Sequence, residues 1–329
     1  MFRKKANIED VYSCLRISEK CLSYYSSDFR LKVLDIKLII LQFEYQFTRD
    51  FDYKVYSDRL FFSLDNELHV LGLQTPKLEK VCHTQQQYVT AASDRRFLAS
   101  SYRRKDKQYV NAIFDESCKL LWEQSGETTF RDVYDKHLLL ADRRGSKIGY
   151  LNFEDCKILW QRELEGSIDG VSIETNISLI IPLSGSLNAF SSGSGARLWK
   201  LENALSFYNY DASNSKLYGL GGNTFEVINS DTGVREMQKE LTIDLHIASH
   251  LTYYNDGLLY FSGYLNKNTP VFGAVNVNDG SLVFIQEVEM PGEKSFRKGL
   301  DRPVVVGNRL YVRDSMKTLH VYERVEDSL

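Results

Sequence analysis

The sequence predicts an all-β fold, a single seven-bladed β-propeller of four-stranded antiparallel blades, and three observations predict it. The stretch Asn111–Trp122 returns as Gly149–Trp160 and again, more loosely, as Leu187–Trp199. Apolar anchors at Val81, Trp122, Trp160, Trp199, Met237 and Phe284 follow turn-forming stretches at spacings of 41, 38, 39, 38 and 47 residues. A period of about 40 carrying several short strands is the mark of propeller blades. The chain is also rich in Tyr (20) and Phe (18), residues that favour strands.

Residues 1–34 lie outside the repeat and read as an N-terminal extension. Ile8, Val11, Tyr12 and Leu15 fall at i, i+3, i+4 and i+7, with Asn7 as N-cap, so a short helix is expected there. The propeller is expected to occupy residues 35–329. Each unit reads as four strands, A to D in chain order. The B strands are Leu60–Ser63, Phe97–Tyr102, Leu138–Ala141, Leu179–Leu183, Leu217–Leu220, Leu258–Ser262 and Leu310–Arg313, each entered through an Asp or Asn that suits a tight turn. The last unit lacks a D strand, while Lys37–Tyr45 is left over at the front. Pairing of that segment with Leu319–Tyr322 would complete the last blade and remove an exposed edge.

Composition narrows the function classes. With 41 Lys and Arg against 44 Asp and Glu, the formal net charge is −3, which argues against chain-wide affinity for nucleic acid or membrane. The five cysteines form no C-x-x-C pair or zinc spacing, so a disulfide framework is not expected. Arg3-Lys4-Lys5 is followed by Asn7-Ile8-Glu9-Asp10 instead of an apolar core, which does not read as a signal peptide. The expected location is the cytoplasm.

Leu187–Trp199 and Ile228–Gly233, with turns of the Ser-Gly-Ser-Gly and Asp-Thr-Gly type before a Trp- or Met-bearing strand, resemble the PQQ-like propeller repeat. The resemblance covers most of residues 50–325 in period. That superfamily includes calcium-dependent quinoprotein dehydrogenases and cofactor-free relatives that bind proteins. The enzymes resemble eight-bladed exported proteins with a vicinal Cys-Cys pair; this chain has neither that pair nor an export signal, so no cofactor is carried over.

Trp122, Trp160 and Trp199 share one register, which predicts packing between neighbouring blades. Cys118 and Cys156 share another, on blades too far apart to bridge. His246 and His250 are four apart, but they stand where the chain enters a strand and lack a His-Glu-x-x-His pattern, so no metal site is predicted. Positive charge gathers in the B-to-C and D-to-A loops. Arg103, Arg104, Lys105 and Lys107 fall in one B-to-C loop, Arg143, Arg144 and Lys147 in the next, and Arg297 and Lys298, with Lys294, in the D-to-A loop before the last unit. The B-to-C loop Gly263–Pro270 is enlarged. Basic loops on one face of an acidic protein suggest a partner protein with an acidic surface; nucleic acid is less expected, since aromatic interleaving is limited to Tyr102 and Tyr109. The expected function is non-catalytic protein binding, with an antitoxin-like bacterial immunity protein as one concrete form. The alternative is an enzyme of hydrolase or lyase type at the central funnel, using residues such as Asp132, Glu174, Tyr210 and His250.

Overall fold

The structure is a computed structural model. It describes residues 2–17, 21–46, 53–56, 59–64, 67–72, 78–83, 88–92, 96–103, 105–115, 117, 119–266, 268–290 and 299–325. Every element among them is a strand. In chain order these are β1 (Phe2–Ile8), β2 (Ser13–Ile17), β3 (Cys21–Tyr25), β4 (Arg30–Asp35), β5 (Ile40–Gln46), β6 (Tyr53–Tyr56), β7 (Arg59–Leu64), β8 (Glu67–Gly72), β9 (Leu78–His83), β10 (Tyr88–Ala92), β11 (Arg96–Arg103), β12 (Gln108–Asp115), β13 (Leu120–Gly126), β14 (Thr128–Val133), β15 (His137–Asp142) and β16 (Lys147–Asn152). They continue as β17 (Ile158–Glu163), β18 (Ile173–Glu174), β19 (Ser178–Leu183), β20 (Ser186–Ser191), β21 (Arg197–Glu202), β22 (Asn209–Asp211), β23 (Lys216–Gly221), β24 (Thr224–Asn229), β25 (Arg235–Glu240), β26 (Leu245–Asn255), β27 (Leu258–Leu265), β28 (Thr269–Asn276), β29 (Leu282–Glu287), β30 (Val304–Val306), β31 (Arg309–Arg313) and β32 (Leu319–Arg324). No helix of the described residues is long and apolar enough to cross a membrane.

The strands make four-stranded sheets, each a run of consecutive antiparallel hairpins, as expected for blades. Seven units were expected; the sheets among the described residues number eight. The additional sheet is β2-β3-β4-β5, which cuts across the expected boundary at residue 34. Lys37–Tyr45 therefore does not complete the last blade. β5 pairs with β4, with Leu31 opposite Tyr45 and Asp35 opposite Ile40. The reason is local: the Asp35 carboxylate accepts the backbone N–H groups of Lys37 and Leu38 at 2.8 Å, and Ile39 takes a positive φ of 57°, so a hairpin turn forms from Ile36–Ile39 without a glycine.

The strand that completes the last sheet is β1, in the order β1-β32-β31-β30. Phe2 is opposite Arg324 and Ile8 opposite Leu319. The expected N-terminal helix is replaced by strands for a backbone reason. The outer edge of β32 carries unpaired N–H and C=O groups that an extended segment satisfies and a helix does not. Asp10, at φ 59°, ends the strand, and the Val11 N–H is donated to Lys317 C=O at 2.7 Å. Val11 is fully buried while Tyr12 is 49% exposed, so the apparent stripe never forms one face.

By contacts the chain forms two compact units. One comprises Met1–Glu19, Asp169–Phe190 and Arg197–Leu329; the other comprises Lys20–Ile168 and Ser191–Ala196. In both, buried apolar residues lie on second and third strands, such as Leu138, Leu140, Ile148 and Tyr150 in one unit and Leu259, Phe261, Val271 and Phe272 in the other. Fourth strands such as β13, β17 and β21 alternate and are largely exposed.

Recurrent devices join successive sheets. In the second unit, Trp160 donates its Nε1–H to Ser192 C=O at 2.9 Å, and its ring lies where a Cβ on Gly195 would stand. In the first unit, Trp199 does the same to Ser230 C=O at 3.1 Å and to Gly233. Gly195 and Gly233 both have positive φ, 68° and 72°. Trp160 and Trp199 are thus framework, each gripping the third-to-fourth-strand turn of the next sheet. Trp122 packs against Phe130 of the following sheet at 6.3 Å between ring centroids. Cys118 lies outside the described residues; Cys21 and Cys156 are free thiols.

Candidate functional site

The basic hairpins lie in the second unit, at the ends of two consecutive sheets. Register brings them to the same edge. Arg103 pairs with Gln108 and Tyr102 with Tyr109, so Lys105, Asp106 and Lys107 fall in the tip, Lys107 at φ 52°. Tyr109 is opposite Gly126, the last residue of β13. Two residues later Thr128 is opposite Asp142, at the mouth of the β15–β16 hairpin. The short link through Glu127 therefore ties both tips together, and Asn111 Nδ2–H donated to Thr128 C=O (2.6 Å) and the Ser100 and Thr129 hydroxyls (3.0 Å apart) hold the sheets side by side.

The second tip is rigid. The Asp142 carboxylate accepts the N–H of Ser146 (2.6 Å) and of Lys147 (3.0 Å) and the Ser146 hydroxyl (2.9 Å). Burial pushes this carboxyl up, but those donors prevail and hold it below its ordinary range. Gly145, at φ 69°, passes so close to the Ile168 backbone that a Cβ would stand 2.9 Å from its nitrogen. Arg143 and Arg144 project from this turn, exposed. The first tip has a softer support, the Tyr102 and Tyr109 rings at 5.0 Å.

Of the sequence-predicted residues, Arg103, Lys105, Lys107, Arg143 and Arg144 are exposed and make no ion pair with another described residue. Lys147 differs: its Nζ is 3.1 Å from Glu127 Oε2, a hydrogen bond that raises the pKa of its ammonium and occupies it. Arg104, Lys294, Arg297 and Lys298 lie outside the described residues. The enlarged loop Gly263–Pro270 is mostly strand, since Gly263 pairs with Val271 and Leu265 with Thr269.

The residues of the alternative enzymatic reading all sit on first strands of their sheets. Asp132 is in the second unit, at a bulge of β14, 3.9 Å from Arg131 Nε. Glu174, Tyr210 and His250 belong to the first unit. His246 and His250 are both exposed on β26, His246 within 3.2 Å of Asp244, and the pairing with β27 is interrupted between Ile247 and Thr252. No group of three or more His, Cys, Asp or Glu among the described residues is placed to hold a metal ion. A cleft of about 350 Å³ in the first unit is lined by Asp169, Gly185, Ser206, Gly222, Ile247 and Ser249, and none of Glu174, Tyr210 and His250 lines it.

Two buried polar clusters in the first unit escaped sequence reasoning because their members come from different strands. The Asp211 carboxylate accepts Ser213 N–H (3.0 Å), the Ser213 hydroxyl (2.6 Å), Asn214 Nδ2–H (2.8 Å) and the Tyr254 hydroxyl (3.0 Å). Burial opposes ionisation there, yet these donors bring its pKa down to about 2. Glu226, 2% exposed, accepts the Tyr208 hydroxyl at 2.5 Å and faces Arg235 Nε at 2.8 Å. Both clusters join neighbouring strands and open onto no cleft described above.

No protein-family model matches the chain, and no curated protein matches its sequence. Solved structures do match in fold. The chain is similar to BamB from Moraxella catarrhalis, at 12% identity and a TM-score of 0.65 over 98% of this chain and 100% of that one. It is similar to the computationally designed Ika8 protein, at 11% identity and a TM-score of 0.69 over 98% of both chains. It is similar to the C-terminal WD40 domain of Sif2, at 9% identity and a TM-score of 0.70 over 99% of both chains. At such identities the likeness concerns the fold, which is a β-propeller of four-stranded antiparallel blades.

Proposed function

We propose that this β-propeller is a non-catalytic binding module that recognises an acidic surface of a partner protein through its Arg103–Gln108 and Asp142–Lys147 hairpins. One observation carries the reading: five exposed cations, Arg103, Lys105, Lys107, Arg143 and Arg144, gather at one edge of two consecutive sheets without acidic partners among the described residues. Held on a rigid turn, such cations lose little further freedom on meeting carboxylates. Arginine forks suit carboxylates in pairs, and the local positive field speeds encounter with an acidic surface. Arg104, Arg297 and Lys298 belong to the same proposal through sequence alone.

The proposal places the chain in the cytoplasm and among the cofactor-free members of the PQQ-like superfamily. The Trp160 and Trp199 contacts with the glycine-bearing turns of the next sheet support that membership. An antitoxin-like immunity protein is one form of such a module, and a toxin gene beside this one is the observation that would favour it. The test is co-purification from native lysate by the wild-type chain and by Arg103→Glu/Arg143→Glu/Arg144→Glu. Loss of the captured protein with the reversed chain, and its release by moderate salt, is the expected result; equal capture by both overturns the reading.

A further inference from the structure

A second cluster of positive charge stands in the first unit, at the seam where the two ends of the chain meet. In the other sheets the third and fourth strands are consecutive in sequence. Here the fourth strand is β1 and the third is β32, and no such hairpin joins Arg324 to Phe2. A cleft of about 460 Å³ opens there, lined by Arg3, Lys4, Lys5, Asn308, Glu323, Arg324 and Val325. That size falls within the range of small-ligand sites.

The cations are arranged and not merely adjacent in sequence. The β1–β32 register shifts between Lys4 and Ala6, so Lys5 is an extra residue in β1. A bulge of this kind breaks the in-out alternation of a strand and re-aims a side chain. Arg3, Lys4 and Lys5 are accordingly all exposed in succession, while Phe2 beside them is 6% exposed. Among the described residues that line the cleft, Glu323 is the one carboxylate, and it is already taken. Glu323 lies 3.3 Å from Lys5 and 3.5 Å from Arg309, and the bond from Lys5 holds its pKa below the ordinary value. Arg324 is fixed by uncharged neighbours instead: its Nη2–H is donated to the Tyr260 hydroxyl at 3.1 Å, and its guanidinium lies 5.8 Å from the centre of the Phe2 ring. Arg3, Lys4 and Arg324 thus converge on one cleft with no acidic partner among the described residues.

We infer that this cleft is a binding site for a small ligand carrying two or more phosphate groups, held by Arg3, Lys4 and Arg324. A preorganised Arg324 gives two parallel donors to one phosphate, and Arg3 and Lys4 on the facing strand neutralise the next. Glu323 spaces the cations without cancelling them, because Lys5 and Arg309 occupy it.

The experiment is calorimetric titration of the untagged full chain with inorganic tripolyphosphate, with thermal unfolding in parallel. One ligand per chain and a raised Tm are expected. Arg3→Gln/Lys4→Gln, whose parent side chains are exposed and whose fold is checked by its own unfolding transition, is expected to weaken binding about 100-fold, roughly tenfold for each charge-assisted contact removed. Arg324→Lys keeps the charge but loses the fork and is expected to weaken it about tenfold. Arg103→Gln/Arg143→Gln/Arg144→Gln is expected to bind as the wild type, so failure of the protein-binding proposal and failure of this one are told apart. The inference is overturned by absence of binding at about millimolar tripolyphosphate, by undiminished binding to Arg3→Gln/Lys4→Gln, by loss of binding in the hairpin variant alone, or by retention on anionic vesicles or oligonucleotides without affinity for tripolyphosphate.

Discussion

His320 and Asn7, 313 residues apart in sequence, face each other across the β32–β1 pair with Nδ1 and Oδ1 3.1 Å apart. The other ring nitrogen of His320, Nε2, is 2.9 Å from Asp314 Oδ2, and both Asp314 and His320 side chains are essentially buried. Burial pushes the Asp314 carboxyl up, but His320 and the Thr318 N–H bring it below its ordinary range.

Replacement of His320 by leucine is therefore expected to destabilise the protein by roughly 3–5 kcal/mol, since it leaves a buried carboxylate without its partner. His320→Leu/Asp314→Asn is expected to lose less than His320→Leu alone, because the charge goes with its partner. Urea unfolding of the wild type and both variants measures this. Equal losses would mean that the imidazole acts only by filling space.

Two turn glycines, Gly233 between the third and fourth strands of its sheet and Gly185 between the second and third strands of its own, separate two effects that usually come together. Gly233 has φ 72°, and a Cβ there would stand 2.6 Å from Trp199 Cδ2; Gly185 has φ 78° with nothing within 4 Å. Gly185→Ala is expected to cost about 1–2 kcal/mol from backbone strain alone. Gly233→Ala is expected to cost roughly 2–4 kcal/mol, because it also displaces the indole. A difference between them, read together with a change in Trp fluorescence in Gly233→Ala only, is the expected outcome.

Asp211 makes the structure sensitive to acid. Its pKa of about 2 in the fold lies below the ordinary 3.8, so its contribution is complete above the ordinary value and is lost as pH falls through about 2. The shift corresponds to about 2 kcal/mol. Stability of the wild type is expected to fall more steeply than that of Asp211→Asn between these pH values, and parallel curves would show that the hydrogen-bond donors act on the neutral acid as well.

Much of the fold was legible in sequence because blades repeat. All seven expected B strands fall within β7, β11, β15, β19, β23, β27 and β31. The eighth sheet was hidden by its own chemistry. Its turn is Ile36-Lys37-Leu38-Ile39, which has none of the usual turn residues except the Asp35 that precedes it, and its anchor is Phe43, opposite Val33 as Trp122 is opposite Ile113. β1 was obscured by three consecutive cations and by a helix-like spacing that the structure does not use. Charge in the hairpins was visible in the sequence, but the pairing of Lys147 with Glu127 was not, since it depends on a link between two sheets. The seam cleft needed more still: it exists only once residues at opposite ends of the chain are paired.

That pairing has a consequence in time. During synthesis β1 emerges about 310 residues ahead of β32, the strand it pairs with, so it must wait while the intervening chain is made. At roughly 5–20 residues per second, that is a delay of about 15–60 s. Throughout it, Phe2 has no burial site and the backbone of β1 no ladder. Arg3, Lys4 and Lys5 then act as guards, since a strand carrying three adjacent positive charges is a poor template for association with another nascent chain.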